Sequence, residues 1–286
     1  MIAASTVSDF LRWFRAFFMQ TDSNLTTSGG PLTSRTTGDG KFSLRRTLFR
    51  HLRESIRHYG VLRTIGETIA ALYRLLRDRM PDRRRTHYGD MDFDWERMVD
   101  TTRANVGFRT QLMAALTGHE YYPSEPWLFE QIMQALPVRF PDFLFIDLGS
   151  GKGRSLMMAS DYPFRRILGV EYLPGLHRIA QENIARYTSE RQQCRQIELV
   201  CQDASDFEFP AEPTVLYLFN PFPEPVFARV LDRVRNSLEK NPRPFFIAYR
   251  FLEYERLLSD CLWLRKIAGT EQWAVYESQA NRVLQK

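Results

Sequence analysis

Glycines and an acid alternate in one short segment, residues 145–154, which reads FIDLGSGKGR. An apolar run ends there in Asp147 and is followed by Gly149, Gly151 and Gly153. Glycines let the backbone turn tightly and let a ligand approach without interference from a Cβ atom. The segment therefore predicts a strand, a tight turn and a helix that together hold a small ligand.

A second acid lies 22 residues beyond Gly149, since Glu171 directly follows the apolar run 167–170. A carboxylate at the carboxyl edge of a parallel sheet can accept hydrogen bonds from both hydroxyls of a ribose. The glycine turn and Glu171 together indicate a cofactor that contains adenosine.

The composition of the turn decides between adenosine cofactors. A dinucleotide fingerprint needs a small residue where this chain has Arg154, and a phosphate-binding Walker loop needs Ser or Thr where Gly153 follows Lys152. Nicotinamide and ATP are therefore disfavoured, and an acid just before the turn suits a ligand that carries an ammonium group. We expect Lys152 and Arg154 to be solvated or paired with nearby acids.

Short apolar runs alternate with helical stretches from about Phe140 onward. Such alternation predicts an α/β fold with a doubly wound, mostly parallel sheet covered on both faces. A terminal antiparallel hairpin completes seven strands, and a helical extension precedes the sheet. The predicted strands are 143–148, 167–170, 197–200, 215–219, 245–249, 262–268 and 271–277, and the predicted helices are 153–161, 174–188 and 224–240.

The order Asp-x-Gly-x-Gly-x-Gly resembles the first motif of the class I, seven-strand S-adenosylmethionine-dependent methyltransferases. The resemblance implies that Glu171 holds the ribose and that Tyr172 lies against the adenine. It also implies that Asp203 bonds the adenine amino group, with the Ala204 amide beside it. Four motifs in this order cover roughly 143–249. The cofactor-binding residues implied by the resemblance are Asp147, Gly149, Ser150, Gly151, Gly153, Glu171, Tyr172, Asp203, Ala204, Asn220, Tyr122 and Ser124.

Asn220 is the candidate catalytic residue, because its carboxamide oxygen can accept hydrogen bonds from an acceptor amine. Asn220 and Pro221 match the start of the motif that amino methyltransferases carry after the fourth strand. The DLGSG turn and the upstream Tyr-Tyr-Pro-Ser segment, residues 121–124, are similar to histone lysine methyltransferases of the disruptor-of-telomeric-silencing type. Bacterial methyltransferases of unassigned substrate are at least as similar. We expect methyl transfer to a nitrogen or oxygen acceptor of unknown identity.

Composition bounds the remaining function classes. The 286 residues are 44% hydrophobic and 26% charged, which is typical of a globular protein and excludes a low-complexity chain. Three cysteines without a Cys-x-x-Cys pair argue against a disulfide framework and against a structural metal. No apolar run approaches the ~18 residues that span a bilayer. We expect a cytoplasmic protein, with peripheral attachment to a membrane surface as a further hypothesis.

Positive charge is concentrated near the N-terminus. Residues 41–85 hold thirteen Lys or Arg against four Asp or Glu, a local charge of 13 − 4 = +9, whereas the whole chain has 39 − 34 = +5. This asymmetry predicts an anionic surface or partner for 41–85. The predicted organisation is an amphipathic helix over 1–20, a flexible linker over 21–42, a basic helical cap or substrate segment over 43–125 and the cofactor domain over 126–286.

Three functions are compatible with these observations. The first is the methyltransferase, for which a lysine side chain of a protein is one alternative acceptor. The second is a non-catalytic cofactor-binding scaffold that is recruited through the basic N-terminal helices. The third is a nicotinamide oxidoreductase, which Arg154 in the glycine turn disfavours.

Overall fold

The structure, a computed structural model, describes residues 91–102, 122–219 and 222–279, together with isolated positions between 53 and 66. All of them belong to one compact unit, 42–286. Asn220, the predicted helix 1–20 and the predicted linker 21–42 lie outside the described residues. No helix in the described ranges is long and apolar enough to cross a bilayer.

A seven-stranded sheet forms the centre of the unit, in the order β3-β2-β1-β4-β5-β7-β6. The first five strands are parallel, and β7 pairs antiparallel with both β5 and β6. The predicted mostly parallel sheet with a terminal antiparallel hairpin is confirmed. The strands are β1 (Leu144–Leu148), β2 (Arg166–Glu171), β3 (Ile197–Cys201), β4 (Thr214–Phe219), β5 (Phe245–Arg250), β6 (Leu264–Gly269) and β7 (Trp273–Ser278).

Helices connect the strands and cover the sheet. Prolines open three of them, because a proline at the first turn removes only an amide that has no partner within the helix. The helices are α1 (Met91–Arg97), α2 (Pro126–Gln134), α3 (Arg154–Ser160), α4 (Pro174–Arg186), α5 (Glu224–Lys240) and α6 (Glu255–Ser259), with short 3₁₀ turns at Phe140–Asp142 and Ala204–Asp206.

Alternating residues of the central strands enter two separate cores. On β1, Leu144 and Ile146 pack with the buried face of α5, whereas Phe145 packs with the buried faces of α2 and α3. Period-two alternation in strands buried on both faces produces this division. The doubly wound arrangement fixes the carboxyl ends of β1, β2 and β3 along one edge of the sheet.

Close packing between α3 and the sheet depends on Gly169 of β2. A Cβ atom added there would lie 2.4 Å from Leu156 Cδ1 and 2.9 Å from Leu199 Cδ2. Only glycine leaves room for α3 at this distance. Because α3 begins directly after the glycine turn, this contact also fixes the height of the turn above the sheet.

Candidate cofactor-binding site

Three acids converge where the carboxyl ends of β1, β2 and β3 meet. Asp147 lies in β1, Glu171 ends β2, and Asp203 follows β3 by two residues. They line one cleft of about 860 Å³, a volume that includes the space open to solvent. The strand order reverses between β1 and β4, which is where ligands bind in open α/β sheets.

Glu171 links the glycine turn to the end of β2. One carboxylate oxygen accepts from the Gly151 amide at 2.9 Å, and the other accepts from the Leu173 amide at 2.8 Å. Burial raises the pKa of Glu171 to about 7, although hydrogen bonds from the Leu173, Gly151 and Tyr172 amides oppose the shift. A carboxylate has about four lone-pair sites, so Glu171 retains capacity to accept a hydrogen bond from a ligand.

Asp147 is a buried acid near the end of β1. Its carboxylate accepts a hydrogen bond from the Ser155 hydroxyl of α3. Burial raises the pKa of Asp147 to about 7; the Ser155 bond lowers it and the nearby Glu171 charge raises it further. A cationic group in the cleft would therefore stabilise the ionised form of Asp147.

The third acid, Asp203, is fixed by its own turn. One of its oxygens accepts from the Ser205 amide at 2.8 Å and from the Ser205 hydroxyl at 2.7 Å, which caps the 3₁₀ turn. Both Asp203 and Ala204 line the cleft. Asp203, the acid predicted to bond the adenine amino group, thus has a fixed orientation before any ligand binds.

Ser150 supplies a buried polar atom to the glycine turn. Its side-chain oxygen is buried, and it has no hydrogen-bond partner within the part of the chain that the structure describes. Because most buried hydroxyls are hydrogen-bonded, such an atom in a cleft suits a ligand that supplies the missing partner.

The segment 122–124 forms a further side of the cleft, and Glu125 directly follows it. Tyr217 of β4 donates to Ser124 at 3.0 Å, and Arg250 of β5 bonds Glu125 at 3.2 Å. Arg250 is buried and its guanidinium lies 5.3 Å from the centre of the Phe219 ring. The upstream segment is therefore attached to the ends of β4 and β5, and it presents the half-exposed Tyr122 to the cleft.

Most predicted cofactor residues line this single cleft. Gly153 does not line it; instead it precedes α3 in a left-handed conformation with φ of +86°. Asn220 lies outside the described residues. The predicted residues that line the cleft are Tyr122, Ser124, Asp147, Gly149, Ser150, Gly151, Glu171, Tyr172, Asp203 and Ala204.

Sequence reasoning did not assign several other lining residues to the cofactor. Some of them directly adjoin predicted residues, so proximity in the chain could have found them, but Leu176 and Val226 carry no sequence signal beyond helical burial. The additional residues are Pro123, Arg154, Ser155, Val170, Leu173, Leu176, Gln202, Phe219, Phe222 and Val226.

Lys152 and Arg154 are not solvated. Both side chains are buried, and each is paired with an acid upstream, Lys152 with Asp100 at 2.7 Å and Arg154 with Asp94 at 3.2 Å. The expectation of pairing is confirmed for both residues, and the alternative of solvation is wrong.

The charges around the cleft favour a ligand with cationic and hydroxyl groups. Asp147, Glu171 and Asp203 are buried acids that line it, while the guanidinium of Arg154 is paired with Asp94. A pyrophosphate placed here would meet like charges. In the described ranges, no group of three His, Cys, Asp or Glu residues could hold a metal ion.

No protein-family model and no curated protein matches the chain. Solved structures similar to it include an RNA methyltransferase from Salinibacter ruber in complex with S-adenosyl-L-homocysteine, at 21% identity and a TM-score of 0.39 over 55% of this chain and 92% of that one. Precorrin-6y C5,15-methyltransferase from Geobacter metallireducens has 13% identity and a TM-score of 0.38 over 54% and 89%. Magnesium protoporphyrin IX methyltransferase from Synechocystis has 10% identity and a TM-score of 0.39 over 67% and 91%. The three proteins are named for different acceptors, and the function proposed below rests on the residues of the cleft itself.

Proposed function

We propose that the chain is an S-adenosylmethionine-dependent methyltransferase that acts on a nitrogen or oxygen acceptor. The observation that carries this proposal is the convergence of Asp147, Glu171 and Asp203 on one cleft beside the glycine turn. These acids offer acceptors for an ammonium, a ribose and an adenine amino group, which are the donor groups of this cofactor.

The residues present fit the cofactor. Ser150 offers a buried hydroxyl that has no partner among the described residues, and Asp147 is a buried acid that a nearby cation would ionise. Asp147, Ser150 and the turn would hold the amino acid end, Glu171 the ribose, and Asp203 with Ala204 the adenine. The bound cofactor supplies a methyl group on a sulfonium, ready for in-line displacement.

The chain itself contributes orientation and exclusion of water. Glu171 and Asp203 are fixed by bonds to backbone amides before the cofactor arrives, so little ordering is left to the binding step. Phe219, Phe222 and Tyr122 contribute aromatic rings to the lining of the cleft. Holding donor and acceptor about 3 Å apart and in line can supply most of the rate, and a base is needed only where the acceptor must first lose a proton.

Titration calorimetry of S-adenosylmethionine and S-adenosylhomocysteine tests the cofactor assignment. We expect micromolar binding to the full chain, which is about −8 kcal/mol, and at least tenfold weaker binding to Glu171→Ala. Glu198→Ala is the matched control, because Glu198 lies on the neighbouring strand and pairs with Arg166 at 3.3 Å on the surface. Equal affinities of the folded wild type and Glu171→Ala would contradict the assignment.

The acceptor requires a separate experiment with labelled S-adenosylmethionine and cell extracts. We expect Asn220→Ala to retain cofactor affinity and to lose transfer, because its carboxamide is proposed to orient the acceptor. Labelling of a protein lysine would support the lysine alternative, and labelling of a small molecule would exclude it for that activity. Cofactor binding with no transfer to any extract would favour the scaffold function instead.

A further inference from the structure

The glycine turn is held from its outer side by residues far upstream. We propose that Asp100, Lys152 and Asn183 are positioning residues that hold the turn in its ligand-binding shape. We define the upstream clamp as residues 93–102. None of the three residues lines the cleft, so each would act on a ligand only through the turn. This inference rests on the proposed cofactor function.

Asn183 of α4 joins the upstream clamp to the turn. Its side-chain nitrogen donates to the Lys152 carbonyl at 2.9 Å and to the Asp100 carbonyl at 2.8 Å. Its side-chain oxygen accepts from the Asp100 amide at 2.8 Å. One buried carboxamide therefore bonds the backbone of both segments: its oxygen accepts from the Asp100 amide, and its nitrogen donates to the Asp100 and Lys152 carbonyls.

Lys152 makes the second connection. Its side chain is fully buried, and its ammonium bonds Asp100 at 2.7 Å. Lys152 lies between Gly151, whose amide bonds Glu171, and Gly153, which precedes α3. A shift of the Lys152 backbone would therefore move the Gly151 amide relative to Glu171.

Arg154 completes the attachment on the side that faces the cleft. Its guanidinium bonds Asp94 at 3.2 Å and the Thr101 hydroxyl at 2.6 Å, and it lies 4.6 Å from the centre of the Phe93 ring. Asp94 also accepts from the Thr101 amide at 2.6 Å. Asp94 thus bonds two parts of the structure: Thr101 within the upstream clamp, and Arg154, which lines the cleft.

These contacts predict that the upstream clamp controls cofactor affinity without touching the cofactor. Asp100→Asn keeps the size of the side chain but removes the charge opposite Lys152. Asn183→Asp keeps the acceptor for the Asp100 amide but places an oxygen against two carbonyls. We expect both full-chain variants to bind S-adenosylhomocysteine at least tenfold more weakly than wild type, at a temperature where circular dichroism shows them folded.

Glu212→Gln is the matched control. Glu212 bonds Arg166 at 2.7 Å at the other end of β2, far from the turn in the strand direction. We expect its affinity to stay within twofold of wild type. Wild-type affinity in both Asp100→Asn and Asn183→Asp would overturn the inference.

Hydrogen exchange of the amides of residues 149–153 provides a readout that needs no cofactor. We expect faster exchange of these amides in Asp100→Asn and Asn183→Asp than in wild type or Glu212→Gln, while the amides of β4 keep their protection. Unchanged exchange at 149–153 would overturn the positioning role. If wild type does not bind the cofactor, the proposed function fails, and this exchange experiment still decides whether the upstream clamp holds the turn.

Discussion

Charged pairs lie at both ends of the parallel strands, but they differ in burial. Beyond the carboxyl end of β1, the cations Lys152 and Arg154 are 0% and 2% exposed, and their acids in the upstream clamp, Asp100 and Asp94, are 34% and 11% exposed. At the opposite end, Arg166 and Glu212 have side chains 19% and 26% exposed. The same chemistry therefore serves different purposes, because only the pairs with a fully buried cation are joined to backbone that forms the cleft.

The largest effect should come from Asp94→Ala. Asp94 accepts from the amides of Thr101 and Thr102 at 2.6 and 2.8 Å, from the Thr101 hydroxyl and from Arg154. Its removal leaves a buried guanidinium without its carboxylate, which typically costs about 3 to 5 kcal/mol. Chemical denaturation of wild type and variant measures this loss. A loss below ~1 kcal/mol would show that the buried pairs are no stronger than the exposed ones.

Gly169→Ala should have the next largest effect. Its added Cβ would overlap Leu156 and Leu199 and would approach Ser150 Oγ at 3.0 Å. Overpacking of this kind costs about 1 to 3 kcal/mol. Gly66→Ala is the control, because no atom of the described residues lies within 4 Å of its added Cβ, and there we expect no loss of stability. Equal stability of wild type and Gly169→Ala would mean that α3 moves away from the sheet without cost.

The sheet was predictable because its signal is local. Each signal is an apolar run bounded by turns, with an acid directly after it, and occupies only a few consecutive residues. These signals placed Asp147, Glu171 and Asp203 at one edge of the sheet. The clamp was not predictable, because Asp100 and Lys152 are 52 residues apart and Asp94 and Arg154 are 60 apart. Partners at such distances leave no periodic pattern, so an isolated lysine or arginine gives no indication of the acid that will neutralise it.

The same distinction applies to the upstream side of the cleft. Tyr122 and Ser124 were predicted from a resemblance of motif, but the bonds that fix their segment join Ser124 to Tyr217 across 93 residues and Glu125 to Arg250 across 125. Arg250 ends an apolar strand and gave no sequence signal of its own. Tertiary packing decides which charged residue at a strand end turns inward.

Affinity for the cofactor should depend on pH, with an effect of about tenfold. The pKa of Asp147 is raised to about 7, so this acid is mostly protonated at pH 6 and ionised at pH 8. A ligand ammonium favours the ionised form, so we expect binding of S-adenosylhomocysteine to strengthen by up to about tenfold from pH 6 to pH 8. Calorimetry in two buffers of different ionisation enthalpy would detect the released proton. A flat pH profile would contradict contact between the ammonium and Asp147.

Stability of the ligand-free protein should change in the opposite direction over this range. The folded-state pKa values of Asp147 and Glu171 are about 7, above their usual values of 3.8 and 4.5. The stabilisation that these raised pKa values contribute to the folded state is therefore fully present below about pH 4 and is lost as the pH rises through 7. Asp147→Asn should reduce this loss, and denaturation at pH 5 and pH 8 measures the difference.

The smallest effect should come from Glu212→Ala, which removes an acid from an arginine just as Asp94→Ala does. The hydrogen bond and charge of Arg166 lower the pKa of Glu212. The pair therefore stabilises the fold at pH values above the usual pKa of a glutamate, and this contribution weakens as the pH falls through the lowered pKa. Because both partners retain access to water, the loss at neutral pH should be about 0 to 1 kcal/mol and should shrink further in high salt. Denaturation with and without 1 M salt checks both points. A salt-independent loss as large as that of Asp94→Ala would mean that burial is not what separates the two ends of the sheet.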